Sequence, residues 1–121
     1  MTIPVSAVLL VEDDHLILDS TARLLADDGL EVTCASNAEQ ALAILGDGRI
    51  PSILVTDINL DGPSSGLDLA RSVAEAWPDV RLILISGETR PAPGHYPEKA
   101  VFFTKPYASG ALLTLIRSSD W

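Results

Sequence analysis

Five short apolar runs punctuate this chain, and helical spacing of apolar residues follows all but the fourth. The first run, 7–11 (AVLLV), leads into Ile17, Thr21, Leu24 and Leu25 on one face of a helix expected to stop near Asp28-Gly29. Residues 30–35 read as a second strand. Ser36 is the expected N-cap of the next helix, with Glu39 three residues on as its capping-box partner. Ala38, Ala41, Leu42 and Leu45 form that helix's apolar stripe, and Gly46 and Gly48 flank its end. The third run, 53–56 (ILVT), ends at Asp57. A loop over 61–66 holds two glycines and a proline. The helix after it places Leu67, Ala70, Ala74 and Trp77 on one face and closes at Pro78. Residues 80–85 form the fourth run and 101–104 (VFFT) the fifth, and Ala108, Ala111, Leu112 and Leu115 pattern a last helix.

Strand and helix in alternation predict an α/β fold, a doubly wound parallel sheet covered on both faces. With no linker or low-complexity tract, residues 1–121 read as one domain. The pattern breaks over 87–100 (GETRPAPGHYPEKA), where a fourth crossover helix is due. Pro91, Pro93 and Pro97 stand there instead. Each proline inside a helix costs about 3 kcal/mol, so this helix is expected to be shortened or irregular.

Composition narrows the function. The chain is 47% hydrophobic, which argues against disorder. Its 17 acidic and 8 basic residues leave a net charge of -9, the wrong sign for gripping a nucleic-acid backbone or an anionic membrane. No apolar run approaches the roughly 18 residues of a membrane span. The start has no basic region and runs straight into acids, unlike a signal peptide. A single cysteine, Cys34, excludes an internal disulfide and a cysteine cage, which fits a reducing, cytoplasmic setting.

Charge is concentrated where the apolar runs finish. Glu12, Asp13 and Asp14 follow the first, Asp57 ends the third, and Lys105, followed by Pro106, comes directly after the fifth. In an open α/β sheet that edge is where ligands bind. Carboxylates from two strand ends repel, so either one stays protonated or a cation neutralises them. An oxygen-only site suits Mg²⁺ or Mn²⁺. Zinc fits less well, because neither His15 nor His95 has a partner at ligand spacing. A metal beside Asp57 prepares its carboxylate to attack phosphorus. Lys105 is placed to pair with phosphoryl oxygens, and the Ser86 hydroxyl, ending the fourth run, to donate to another. Asp14 reads as a helix N-terminal acid stabilised by the dipole. His15 and His95 read as surface residues, Cys34 as a small buried hydrophobe and Trp77 as packing on the sheet. A Mg²⁺-dependent phosphotransferase or nuclease using Glu12 and Asp57-Ile58-Asn59 would want a second acid where Asn59 stands.

Four stretches in order, VLLVEDD, LVTDINL, LILISGE and FFTKP, resemble those of response-regulator receiver domains of two-component signalling over nearly the whole chain. The resemblance implies a flavodoxin-like strand order 2-1-3-4-5, with the acids at the crevice between strands one and three. It implies Asp57 as phosphoacceptor, Asp13 as a direct Mg²⁺ ligand, Glu12 as a ligand through water, and the backbone carbonyl of Asn59 as a further ligand. Ser86 takes the place of the switch hydroxyl, Lys105 that of the family's lysine, and Pro106 follows a cis bond. Phe102 holds the aromatic switch position, where ordinary core packing is an equal reading. The implied activity is a switch without separate catalysis. A histidine kinase or histidine phosphotransfer protein supplies the phosphoryl group, and partner binding changes. The alternative is a receiver-like interaction module indifferent to phosphate. Two departures stand out. The stretch between Ser86 and Lys105 is short and proline-rich, and the loop NLDGPSSG is about one residue longer than common forms. Whether the chain acts alone or was excised from a longer regulator, and its oligomeric state, are left open.

Overall fold

The first strand, β1 (Ala7–Val11), lies inside a five-stranded parallel sheet, one strand in from an edge. Helix α1 (His15–Asp27) returns the chain to the edge strand β2 (Glu31–Ala35), and α2 (Ala38–Gly46) carries it across to β3 (Ile53–Asp57). Helix α3 (Gly66–Ala76), β4 (Arg81–Ser86), β5 (Val101–Thr104) and α4 (Ser109–Arg117) complete the order. This computed structural model describes residues 7–60, 62–87, 96–104 and 109–117. The sheet runs β2-β1-β3-β4-β5, the expected order, and every neighbouring pair is parallel. Most of the proline-rich break, 88–95, lies outside the described residues, and the described part of the connection, Gly87 and 96–100, contains no helix.

Strand alternation sorts the core into two layers. Leu9, Val11, Leu54, Leu82 and Leu84 face α2 and α3, meeting Ala38, Ala41, Leu45, Leu69, Ala70 and Val73. Val8, Leu10, Ile53, Val55, Ile83 and Ile85 face α1 and α4, meeting Leu25, Leu112 and Ile116. Both faces of β1, β3 and β4 are therefore dry, which is why these strands read as continuous apolar runs rather than alternating ones. Arg117 ties the two helices of the second layer together, donating from Nε and Nη2 to the Asp28 carboxylate just past the end of α1.

Several local expectations shift. The N-cap of α2 is Asn37, not Ser36; its Oδ1 accepts the Gln40 N–H at 2.8 Å. Gln40, not Glu39, reaches back, and its Oε1 accepts from the Ser36 N–H and hydroxyl. In α3 the most buried face is Leu69, Ala70 and Val73, while Leu67, Ala74 and Trp77 pack around its margin. The reason is the entry point. A capping box of Ser65 with Asp68, absent from the apolar pattern, starts the helix at Gly66 and sets its rotation. In α4 Leu112 and Ile116 are buried and Ala111 is exposed. Cys34 is exposed rather than buried, because β2 is an edge strand that α1 covers incompletely. Partial burial and then the charge of Asp19 push its thiol up from the ordinary value.

Two outcomes test this architecture. Leu54→Ala, at a position with no solvent exposure, should cost about 2–5 kcal/mol in urea unfolding. Leu16→Ala, at 83% exposure, should stay within about 0.5 kcal/mol, and equal losses would contradict the packing. The second outcome concerns acid. Asp68 is held below the ordinary carboxylate range by the Ser65 N–H first, then by Arg71 and the Ser65 hydroxyl. A depressed folded value contributes stability that is present above the unfolded carboxylate value of about 4 and fades as pH falls through the folded one. Asp68→Asn should therefore flatten the stability profile below about pH 4. A profile parallel to wild type would show that the cap does not titrate with the fold.

Candidate metal and phosphoryl centre

The acids gather because two neighbouring strands, β1 and β3, end at one edge of the sheet. Val11 is in register with both Ala35 and Thr56, so Glu12 and Asp57 emerge side by side from the ends of β1 and β3. The ladder continues one step past β1, where the Glu12 N–H donates to the Ala35 carbonyl at 3.1 Å. Each of Glu12, Asp13 and Asp57 offers a carboxylate oxygen, and the three oxygens lie within 4.8 Å of one another. Glu12 and Asp57 are both buried to 4% exposure, and Asp13 is half-buried. Two ionised carboxylates at that separation repel by about 3–4 kcal/mol at an effective dielectric of about 20. A hard divalent cation is the natural counter-charge for an all-oxygen set of this size, and Mg²⁺ fits it.

Backbone hydrogen bonds hold the set open. Glu12 Oε2 accepts the Asp14 N–H at 3.2 Å, which keeps its head group at the strand end. Asp57 Oδ1 accepts the Asn59 N–H at 3.0 Å. The same turn leaves Asn59 exposed beside the acids. The main chain around Asp57 is also secured: the buried Thr56 hydroxyl donates to the Asp57 carbonyl, the Ile58 N–H to Ile85 and the Gly66 N–H to Ile58. Asp14 stands outside the cluster, and its carboxylate is otherwise engaged. As N-cap of α1 its Oδ1 accepts from the Leu16 and Ile17 N–H groups at 3.0 and 3.2 Å.

The remaining anticipated residues fall on the neighbouring strands. Asp57 is paired with Ile85, and Ser86, buried to 7% exposure, follows at the end of β4. Ser86 is in turn paired with Thr104, the last residue of β5. Lys105 and Pro106 come next in the chain and lie outside the described residues, as does His95. Phe102 is half-buried on the α3 side of the sheet, where the ring of Tyr96 meets it edge-on with centroids 4.6 Å apart. Tyr96, Thr56 and Gly66 are parts of this neighbourhood that pattern reading passed over. Only Gly66, a glycine opening a helix, carried a signal that could have marked it.

Residues 8–117 match the family model of the response regulator receiver domain. The response regulator protein TmoT of Ectopseudomonas mendocina is 33% identical over 94% of this chain and 52% of its own length. The transcriptional regulatory protein AruR of Pseudomonas aeruginosa is 38% identical over 69% of this chain and 35% of its own. The chain thus spans about a third to a half of the length of these curated relatives. Among solved structures, a response regulator receiver protein from Sinorhizobium medicae superimposes with a TM-score of 0.79 at 27% identity, covering 93% of this chain and 92% of that one. NtrX from Brucella abortus superimposes with a TM-score of 0.83 at 30% identity, over 93% of this chain and 26% of its own.

Cation binding tests the cluster directly. Mg²⁺ at a hundred times its Kd should stabilise the wild-type chain by about 2.7 kcal/mol. Asp13→Asn removes one of the three like charges. It should melt higher than wild type in chelator and gain much less from Mg²⁺. Identical Mg²⁺ stabilisation of the two chains would exclude Asp13 as a ligand.

Proposed function

The chain belongs to the response regulator receiver domain family, and from that premise we propose that it is a phosphoryl-accepting switch acting through Asp57. Receiver domains of response regulators are phosphorylated by histidine kinases, and the donor proposed here is the phosphohistidine of such a kinase or of a histidine phosphotransfer protein. One observation carries the reading: the Glu12, Asp13 and Asp57 oxygens lie within one cation's reach at the carboxyl edge of a parallel sheet.

In this reading an ionised Asp57 oxygen attacks phosphorus in line. A new Asp57 O–P bond forms, the histidine N–P bond breaks, and the imidazole nitrogen leaves with the electron pair. Asp13, Asp57, the Asn59 carbonyl and, through water, Glu12 would hold Mg²⁺, which would supply the charge neutralisation that lets two anions meet. The Asn59 N–H, already on Asp57 Oδ1, orients the carboxylate before the donor arrives. Ser86 then donates its hydroxyl to a phosphoryl oxygen, and Lys105 supplies the counter-charge. The added charge of the acyl phosphate draws these groups inward and alters the β4–β5 surface, where Phe102 packs, so partner binding changes. Hydrolysis of the acyl phosphate resets the switch. Mn²⁺ meets the same ligand demands. A broader catalytic role has no support in the donor set, since Asn59 stands where a second acid would be needed.

Intact mass after incubation with Mg²⁺ and a phosphohistidine protein or acetyl phosphate tests this. The wild-type chain should gain one phosphoryl group, and Asp57→Asn none. No adduct from either class of donor would reject the switch and favour a phosphate-independent interaction module. An adduct on Asp57→Asn would move the acceptor to another residue.

A further inference from the structure

The position of Asp57 depends on a residue outside the charged set. Helix α3 begins at Gly66, whose N–H donates to the Ile58 carbonyl at 2.8 Å. This bond presses the first turn of α3 onto the last residue of β3. A side-chain carbon built on Gly66 would fall closest to the Asp57 carbonyl oxygen, 2.8 Å from the Asp57 carbonyl carbon and 2.9 Å from Ile58 Cα. All three obstacles are main chain, so no rotamer change relieves them. Gly66 is buried, and it is not among the positive-φ glycines, Gly29, Gly48 and Gly62. Its backbone is helical, where alanine would gain about 1 kcal/mol of intrinsic propensity. Space, not conformation, demands glycine here.

The helix has little freedom to retreat. The Ser65–Asp68 capping box fixes its first turn, and Leu69, Ala70 and Val73 seat it in the core with at most 1% exposure each. The Asp57 main chain is held as well, by the Thr56 hydroxyl and by its register with Ile85, so a carbon added at Gly66 would force one secured backbone against another. Asp57 is the last strand residue, leading into an exposed turn, and its carboxylate hangs from the same Cα whose carbonyl Gly66 touches. We infer that Gly66 is a positioning residue for phosphoryl acceptance. By admitting α3 to direct backbone contact with Asp57, it sets the reach of that carboxylate to the Glu12 and Asp13 oxygens. The inference rests on the switch reading above for its phosphoryl consequence, and on the cation cluster alone for its metal consequence.

The experiment compares Gly66→Ala with Val73→Ala, which weakens the same helix from its middle, and Gly46→Ala, where an added carbon meets nothing within 4 Å. Mg²⁺ affinity and the rate of phosphoryl acceptance are measured on each folded chain. A misplacement of about 1 Å costs on the order of a hundredfold in a preorganised site, so Gly66→Ala should lose roughly tenfold or more in both. The two control variants should keep wild-type values whatever their melting temperatures. A folded Gly66→Ala with wild-type Mg²⁺ affinity and rate would overturn the inference, because the helix would then have yielded instead of Asp57. Should Gly66→Ala fail to fold, hydrogen exchange on the wild-type chain decides. Mg²⁺ should slow exchange of the Gly66 N–H more than that of the Ser52 N–H at the opposite edge, and equal slowing would overturn it. A wild-type chain that binds Mg²⁺ but takes no phosphoryl group would reject the switch reading, while the Mg²⁺ affinities still judge Gly66.

Discussion

Like charge held in place against its own repulsion is the constraint on which this molecule turns. Glu12 and Asp57 are nearly dry, and Asp13 stands beside them with an oxygen within 4.8 Å of theirs. Flexible segments carrying these acids would swing apart. Here they cannot, because each extends a strand whose neighbours are locked in register, Val11 against Thr56 and Asp57 against Ile85. The rigidity comes from apolar burial on both faces of β1, β3 and β4. Hydrophobic free energy therefore supports an electrostatic arrangement that is unfavourable by itself and that a cation converts into a binding site.

That coupling links stability to function. The strands supply order, and the turns that follow them supply chemistry. The Glu12 and Asp57 carboxylates are each steadied by a main-chain N–H two residues on, from Asp14 and Asn59 respectively. Such local bonds preorganise the oxygens without using a side chain that a ligand would have to displace. Asp14 shows how finely the roles divide. One residue from a cluster member, it caps α1 with its side chain while its N–H holds the Glu12 carboxylate.

Much of this was legible in the chain. Fully buried parallel strands need unbroken apolar runs, so β1 and β3 could be bounded to within a residue. Charges terminating those runs marked the edge that matters. Helix faces were less legible. Several phases satisfy a 3.6-residue period when small and large apolar residues are mixed, and capping decided among them. Ser65 with Asp68 turned α3 toward Leu69 and Val73, and Asn37 displaced Ser36 at the start of α2.

The sequence by itself determined the parallel α/β plan, the net acidity, and the identity of the three acids Glu12, Asp13 and Asp57 that meet at the carboxyl edge, because all three follow from period, composition and order along the chain. Only the tertiary structure decided how close the carboxylates come, that Cys34 stays accessible at an edge strand, and that Tyr96 abuts Phe102. It also decided that Gly66 must be small because of Asp57, nine positions away. Those facts depend on strand register and on the approach of one backbone to another. No local pattern encodes them, since they arise only when distant segments compete for the same space.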